Sequence, residues 1–189
     1  MALNVTIELS DSDLNHFQEA LRRAQEAVGS KSVKEITDAA GQVIIDAAKV
    51  KVPAFIAERL GKLDSLIKMV HDAGWALGDD DKKRVLTALT YFADPKDVIP
   101  DTVPVVGYLD DAIMIELCVR ELKHELEAYE DFVTFVKSEA AQRGMDPAKV
   151  ARADWLEERR RELQERMDRR RKRDGYTGPG QGGSVFRFR

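Results

Sequence analysis

The sequence predicts an all-α protein, a bundle of about six helices that ends in a flexible basic tail. Apolar residues recur three and four positions apart through most of the 189 residues, which places them on one face of an α-helix. Glycine and proline divide this pattern into segments of ordinary helix length. The clearest period-two stretches, typical of strands, are confined to the two ends of the chain. Because each amphipathic helix needs a neighbour to cover its apolar face, a bundle follows.

The first four predicted helices each show one apolar stripe. Pro53 opens the third helix as a first-turn proline, and the Asp79–Asp81 run precedes the fourth as a capping cluster. In order, the stripes consist of Leu14, Phe17, Leu21, Ala24 and Val28; of Val33, Ile36, Ala40, Val43, Ala47 and Val50; of Ile56, Leu60, Leu63, Ile67 and Val70; and of Val85, Leu89 and Phe92.

The fifth predicted helix is the longest. Its apolar residues alternate spacings of four and three from Tyr108 to Val136 without a break, which amounts to about eight turns. The simplest interpretation is a long core helix of an antiparallel bundle. Self-association of two copies through this helix, as a coiled coil, is the alternative. Internal packing is favoured because four preceding helices need a surface to pack against.

A charged helix and a glycine-rich tail follow the bundle. We predict three parts: a helical bundle over residues 1–144, a charged helix over 145–173 and a flexible tail over 174–189 that ends in Phe-Arg-Phe-Arg. Acidic residues precede basic ones by four positions along the charged helix, a spacing that stabilises a solvated helix slightly. The predicted pairs are Glu157–Arg161, Glu162–Arg166, Glu165–Arg169 and Asp168–Lys172.

The net charge of −4 conceals an uneven distribution. Residues 169–189 hold seven basic and one acidic side chain, +6, so residues 1–168 total −10. This split predicts that the tail binds an unidentified protein partner or an anionic membrane surface, whereas nucleic acid is disfavoured because the body is acidic. A solvated helix end is the simpler alternative. The binding residues would be Arg169, Arg170, Arg171, Lys172, Arg173, Phe186, Arg187, Phe188 and Arg189.

Three prolines stiffen the segment between the fourth and fifth helices, and aspartates accompany them. Pro95, Pro100 and Pro104 lie within ten residues, and each restricts the backbone on both sides. Carboxylates in this region suit a hard cation such as Mg²⁺ or Ca²⁺. Capping of helix N-termini explains the same acids without a metal. The candidate metal ligands are Asp97, Asp101, Asp110 and Asp111.

Two ordered runs in this region, YFADPKDVIPD (91–101) and PVVGYLDD (104–111), carry a family signature. They resemble the YkvA-like bacterial domain of unknown function, over about residues 85–125. The resemblance implies a small helical domain with no assigned biochemical role, many members of which look membrane-associated through an apolar stretch after the paired aspartates. This sequence departs from that pattern, because the stretch includes the charged residues Glu116, Arg120, Glu121, Lys123 and Glu125.

Catalytic patterns are absent from the sequence. The three histidines are isolated, Cys118 lies on an apolar helix as a predicted buried thiol, and no phosphate-binding or nucleophile-elbow motif is present. A single cysteine and the lack of a secretory signal favour the cytoplasm, with a peripheral or integral membrane location as the alternative that the resemblance implies. The leading hypothesis is a non-enzymatic accessory or interaction protein without a cofactor. The alternative is a metal-dependent enzyme or metal-binding domain that uses the aspartates.

Overall fold

The computed structural model describes residue 8 and residues 10–28, 31–94, 108–151 and 154–174. Every regular element in these ranges is helical, which confirms the predicted all-α class. Short 3-10 helices cover Thr90–Ala93 and Asp154–Leu156. The α-helices are α1 (Asp11–Val28), α2 (Val33–Ala47), α3 (Ala54–His71), α4 (Asp79–Leu89), α5 (Leu109–Glu121), α6 (Lys123–Arg143), α7 (Pro147–Val150) and α8 (Glu157–Arg173).

Helix α3 occupies the centre of the bundle, where it contacts α2, α4, α5 and α6. Helix α8 lies along α6, and α1 packs on the 3-10 helix that follows α4. The predicted stripe of α3 is buried at Ile56, Leu60 and Leu63. Leu66 and Met69, which lie off that stripe, are fully buried as well. A helix surrounded on several sides buries more than the single face that its periodicity shows.

The long fifth helix of the prediction is interrupted once, at Leu122. Helix α5 ends one residue before Leu122 and α6 begins one residue after it, because Leu122 has φ −97° and ψ 21°. Helical hydrogen bonding nevertheless spans the interruption: the Leu122 N–H donates to Cys118 O (2.8 Å) and the Leu126 N–H donates to Leu122 O (2.9 Å). Most of the apolar seam is buried within the chain. Neither proline nor glycine marks the break.

The predicted charged helix is also divided. The carboxylate of Asp146 accepts the Ala148 N–H at 2.8 Å and caps the short α7, and a 3-10 turn then leads into α8. Helix α8 buries Leu163 and Met167 and is otherwise dominated by charge. Leu163 and Met167 therefore form the apolar contact of α8 with the bundle.

The connection between α3 and α4 belongs to the core. Its local fold depends on Asp72, whose Oδ1 accepts the N–H groups of Gly74 (2.8 Å) and Trp75 (3.1 Å). This turn directs the Trp75 ring inward, where it is fully buried with its centroid 5.2 Å from that of Phe132 and 6.0 Å from that of Tyr129. The Tyr129 hydroxyl donates to Asp72 Oδ2 at 3.2 Å. Burial, followed by the charge of Asp72, raises the pKa of Tyr129.

Helix α8 holds the same connection from the other side. The Arg160 guanidinium donates to Gly74 O (2.9 Å), and the Gln164 amide donates to Trp75 O (3.0 Å). Gly74 also lies directly against Ala151, so closely that a Cβ on Gly74 would lie 2.7 Å from both the Cβ and the carbonyl oxygen of Ala151. The absence of a side chain at position 74 therefore permits the α3–α4 connection to approach the start of the charged segment.

We expect Gly74→Ala to lower the free energy of unfolding by about 1–3 kcal/mol, because the added methyl group overpacks a backbone contact. Urea denaturation followed by far-UV circular dichroism measures the change. Gly61→Ala is the matched control. Gly61 lies inside α3 with nothing within 4 Å of its would-be Cβ, so this substitution should gain up to about 1 kcal/mol of helix propensity. Equal effects of the two substitutions would contradict the packing argument.

Candidate functional site

Charged residues are buried where α4, α6 and α8 meet. Glu125 of α6 has no exposed surface, and Arg84 of α4 is 2% exposed. The Arg84 Nη1 atom lies 2.6 Å from Glu125 Oε1. From α8, the Arg171 Nη1 atom approaches the same oxygen to 3.0 Å. Two guanidinium groups from different helices thus hold one buried carboxylate, as the desolvation cost of an isolated charge requires.

Arg171 extends this cluster to two further acids. Its guanidinium also pairs with Asp81 in the first turn of α4 and with Asp168 one turn earlier in α8. Burial by itself would lower the pKa of Arg171, but hydrogen bonding and attraction from Asp81, Glu125 and Asp168 outweigh that effect and raise it. Arg171 is therefore charged throughout the pH range of a folded protein. We refer to Asp81, Arg84, Glu125, Asp168 and Arg171 as the buried charge network.

The aspartate run before α4 contributes to this network. Sequence reasoning assigned Asp79–Asp81 to capping, and all three do lie in the first turn of α4, where acidic residues favour the helix dipole. Gly78 occupies the N-cap position, so no side chain caps the first turn of α4 from that position. Asp81 has the additional role of binding Arg171 from α8. A contact between residues ninety positions apart in the chain leaves no signal in local spacing.

Two of the four predicted metal ligands lie within the described residues. Asp110 and Asp111 are adjacent in the first turn of α5, and their exposed fractions are 2% and 7%. Asp97 and Asp101 lie outside the described residues. Within the ranges that the structure covers, no group of three or more His, Cys, Asp or Glu side chains is arranged to hold a metal ion. A cation site formed by all four aspartates stays a prediction.

The basic run at the end of α8 is divided between packing and solvent. Arg170 pairs with an acid of α6 at 2.9 Å, and Arg171 belongs to the buried charge network. Arg169, Lys172 and Arg173 are exposed, and we call them the exposed basic residues of α8. The predicted partner-binding residues Phe186, Arg187, Phe188 and Arg189 lie outside the described residues.

The predicted ion pairs within the charged helix are mostly wrong. Glu165–Arg169 forms, at 3.6 Å, whereas the other three pairs do not approach within 4 Å. Arg166 instead reaches Asp131 of α6. Because α8 lies along α6, Arg166 and Arg170 find acids on that neighbouring helix, whereas Arg161 pairs with Glu165 of α8 itself at 4.0 Å.

The reactive side chains are enclosed or hydrogen-bonded. Cys118 is fully buried, as predicted, and burial together with the nearby charge of Glu121 raises the pKa of its thiol to about 12. The His71 Nε2 atom lies 2.9 Å from the hydroxyl oxygen of Thr37. His124 Nε2 lies 2.9 Å from a carboxylate oxygen of Asp174, just after α8. These two histidines therefore connect helical elements within the bundle.

Comparison with known proteins places the chain in a family. The family described as "Protein of unknown function (DUF1232)" matches residues 81–117. An uncharacterized membrane protein of Bacillus subtilis (strain 168), YkvA, is 32% identical over 74 residues, which cover 36% of this chain and 68% of the relative. The chain belongs to the YkvA-like DUF1232 family. The resemblance seen in the sequence is thereby confirmed. No solved structure matches the chain.

The DUF1232 segment is joined to the rest of the bundle by the buried charge network. The segment begins at Asp81 and includes Arg84, Asp110 and Asp111, all of them buried or half-buried. Glu125 and Arg171, which bind the Asp81 and Arg84 side chains, come from beyond the segment. Among the helices that the structure describes, none is long and apolar enough to cross a membrane.

We expect Arg84→Met to lower the free energy of unfolding by about 3–5 kcal/mol, because it removes one partner of a buried pair and leaves Glu125 undercompensated. Chemical denaturation measures the loss. Arg22→Met is the matched control, since Arg22 forms an exposed pair with Glu26 on α1 and its removal should cost no more than about 1 kcal/mol. A small effect at Arg84, similar to that at Arg22, would contradict the structural importance of the network.

The metal hypothesis predicts that Mg²⁺ or Ca²⁺ raises the melting temperature of the full chain, because a ligand of the folded state stabilises it by mass action. Differential scanning fluorimetry against cation concentration measures this shift. Asp101→Asn should abolish the shift, whereas Asp13→Asn, an exposed acid that caps α1, should retain it. If neither cation changes the melting temperature, the metal hypothesis is wrong and helix capping is the role of the aspartates.

Proposed function

We propose that this chain is a non-enzymatic accessory protein that binds the surface of an anionic membrane through the exposed basic residues of α8. The supporting observation is the division of the basic run. Arg170 and Arg171 are committed to acids within the bundle, whereas Arg169, Lys172 and Arg173 extend into solvent at the helix end. Cations at that end are compatible with the helix dipole and accessible to an external anionic surface.

The contacts of the charged residues in the DUF1232 segment support the accessory role. Its charged residues Asp81 and Arg84 bind side chains of α6 and α8, so they hold the bundle together. Cys118, the chain's one thiol, is fully buried with a raised pKa. Asp81, Arg84 and Cys118 therefore have structural roles. They support a protein that binds a partner through its surface rather than one that catalyses a reaction.

The membrane partner draws support from the family and from charge. The relative YkvA is described as an uncharacterized membrane protein. Each basic residue near an anionic lipid surface contributes about 1 kcal/mol of attraction. Three exposed cations therefore contribute about 3 kcal/mol of attraction, which favours weak, reversible and salt-sensitive association without a spanning segment. An acidic protein surface is the competing partner.

We expect the full chain to sediment with vesicles of phosphatidylcholine and phosphatidylglycerol and to be released as salt is raised. Replacement of the exposed basic residues by glutamine (Arg169→Gln, Lys172→Gln, Arg173→Gln) should weaken binding roughly tenfold or more, because it removes three attractive charges. Cosedimentation with graded lipid concentrations measures the partition coefficient. Deletion of residues 169–189 is unsuitable because it would also remove Arg171 from the buried charge network.

The matched control replaces three exposed arginines on other helices, Arg22 and Arg23 of α1 and Arg120 of α5, by glutamine. This control has the same net charge as the α8 variant, so it separates local contact from overall charge. Failure of the unaltered chain to bind the anionic vesicles would end the membrane proposal. Equal weakening in both variants would show that the end of α8 is not the contact surface.

A further inference from the structure

We infer that the connection between α2 and α3 is a second membrane contact, which inserts apolar side chains into the interfacial layer of an anionic lipid surface. We call residues 45–55 the α2–α3 tip. The inference rests on the proposed membrane association and extends it, because the exposed basic residues of α8 supply attraction and the tip supplies insertion. The tip lies outside the DUF1232 segment, so this contact is a property of the chain beyond that segment.

Exposed apolar side chains concentrate at the tip. Ile45, Val50 and Phe55 are 55%, 54% and 46% exposed. In the part of the chain that the structure describes, only Met145 and Trp155 are comparable large apolar residues with similar exposure. Scattered apolar residues are ordinary on a protein surface, whereas a concentration of them marks a contact surface.

The three side chains lie at one end of a helical hairpin. Ile45 is in the last turn of α2, Val50 is in the connection and Phe55 is in the first turn of α3, and the two helices contact one another. The sequence pattern placed Val50 at the end of the buried stripe of α2. That expectation is wrong, because α2 ends at Ala47 and Val50 lies exposed in the turn that follows.

Part of the backbone of the tip is hydrogen-bonded within the chain, whereas, among the described residues, no backbone partner is found for the N–H groups of Lys51, Val52, Ala54 and Phe55. The N–H groups of Lys49 and Val50 donate to carbonyl groups at the end of α2, at 3.1 and 3.3 Å. The Ile56 N–H donates to Pro53 O at 3.0 Å, and Pro53 has no N–H of its own. Because an unsatisfied backbone group is costly in an apolar medium, these internal bonds reduce the cost of inserting the tip.

The charges of the tip match an anionic surface. Lys49 and Lys51 flank Val50 and are exposed, while Asp46 is the one acid of the tip and pairs with Lys49 at 2.6 Å. Residues 45–55 therefore sum to +1 in a chain whose residues 1–168 sum to −10. Lysine side chains can reach lipid phosphates while their alkyl stems and the neighbouring apolar groups enter the interface.

The size of the tip favours lipid over a protein partner. A specific protein interface buries roughly 800 Å² on each partner. Three half-exposed side chains at a hairpin end fall well below that area, but a few apolar groups with adjacent lysines are enough for reversible attachment to a membrane. A second copy of the chain is also disfavoured, because two such tips have the same charge sign.

The first test compares two double variants of the full chain on vesicles of phosphatidylcholine and phosphatidylglycerol. Val50→Ser with Phe55→Ser should weaken binding on the order of tenfold, because it removes apolar area that insertion buries. Met145→Ser with Trp155→Ser is the matched control, since those side chains are comparably exposed elsewhere, and its binding should be unchanged. Unchanged melting temperatures of both variants show that the fold is intact.

The second test measures insertion directly. Val50→Cys can be labelled with an environment-sensitive fluorophore while Cys118, fully buried, remains unmodified in the folded chain. The emission of a label at position 50 should shift to shorter wavelength when anionic vesicles are added. A label at Met145→Cys should not respond.

The outcomes separate this inference from the proposed function. If the tip variant binds as well as the unaltered chain and the emission of the label at position 50 does not shift, the tip inference is overturned. The proposed function then still stands if the α8 glutamine variant loses binding. If the unaltered chain fails to bind anionic vesicles, both fall together. Capture of the chain by an acidic protein without any vesicle binding would likewise overturn the tip inference.

Discussion

The bundle depends on the burial of one carboxylate. Glu125 has no exposed surface, and a charge removed from water must be compensated by well-placed partners. Arg84 from α4 and Arg171 from α8 both reach the same oxygen of Glu125. Packings of these three helices in other registers would leave a buried charge without its partner, which is far more costly than the loss of an apolar contact. The buried charge network thus selects one arrangement of α4, α6 and α8, and the DUF1232 segment is fixed to the rest of the bundle through it.

The structure shows that the acidic body and the basic end of the chain are partly paired with each other. The contrast between an acidic body and a basic end suggested two separate parts. Part of the basic run instead neutralises the body, since Arg170 and Arg171 pair with acids of α6 and α4. The remaining cations, Arg169, Lys172 and Arg173, are exposed at the end of α8, where Arg169 and Arg173 also form surface pairs with Glu165 and Asp174. The proposed membrane surface therefore consists of what the internal pairing leaves over, together with the apolar tip between α2 and α3.

Periodicity predicts most of the helices because a helix that packs on one side must be apolar on that side. Periodicity does not predict the burial of a helix that is packed on several sides, or contacts between helices that are distant in the sequence. Leu66 and Met69 are buried because α3 is central, and Arg166 and Arg170 of α8 pair with acids of α6 because the two helices are neighbours. The connection between α3 and α4, which no helical spacing describes, inserts Trp75 into the core, because Asp72 and two side chains of α8 satisfy its backbone.

The sequence by itself determined the all-α class, the family and the buried thiol of Cys118. Each of these depends on residue types at fixed short spacings, which a linear reading contains in full. Only the tertiary structure decided which charges are internal and which face outward. Asp81 and Arg171 are ninety residues apart, and whether such side chains meet depends on how whole helices pack. The same holds for the α2–α3 tip, whose Val50 continues an apolar stripe in the sequence but lies exposed in the turn after α2 ends.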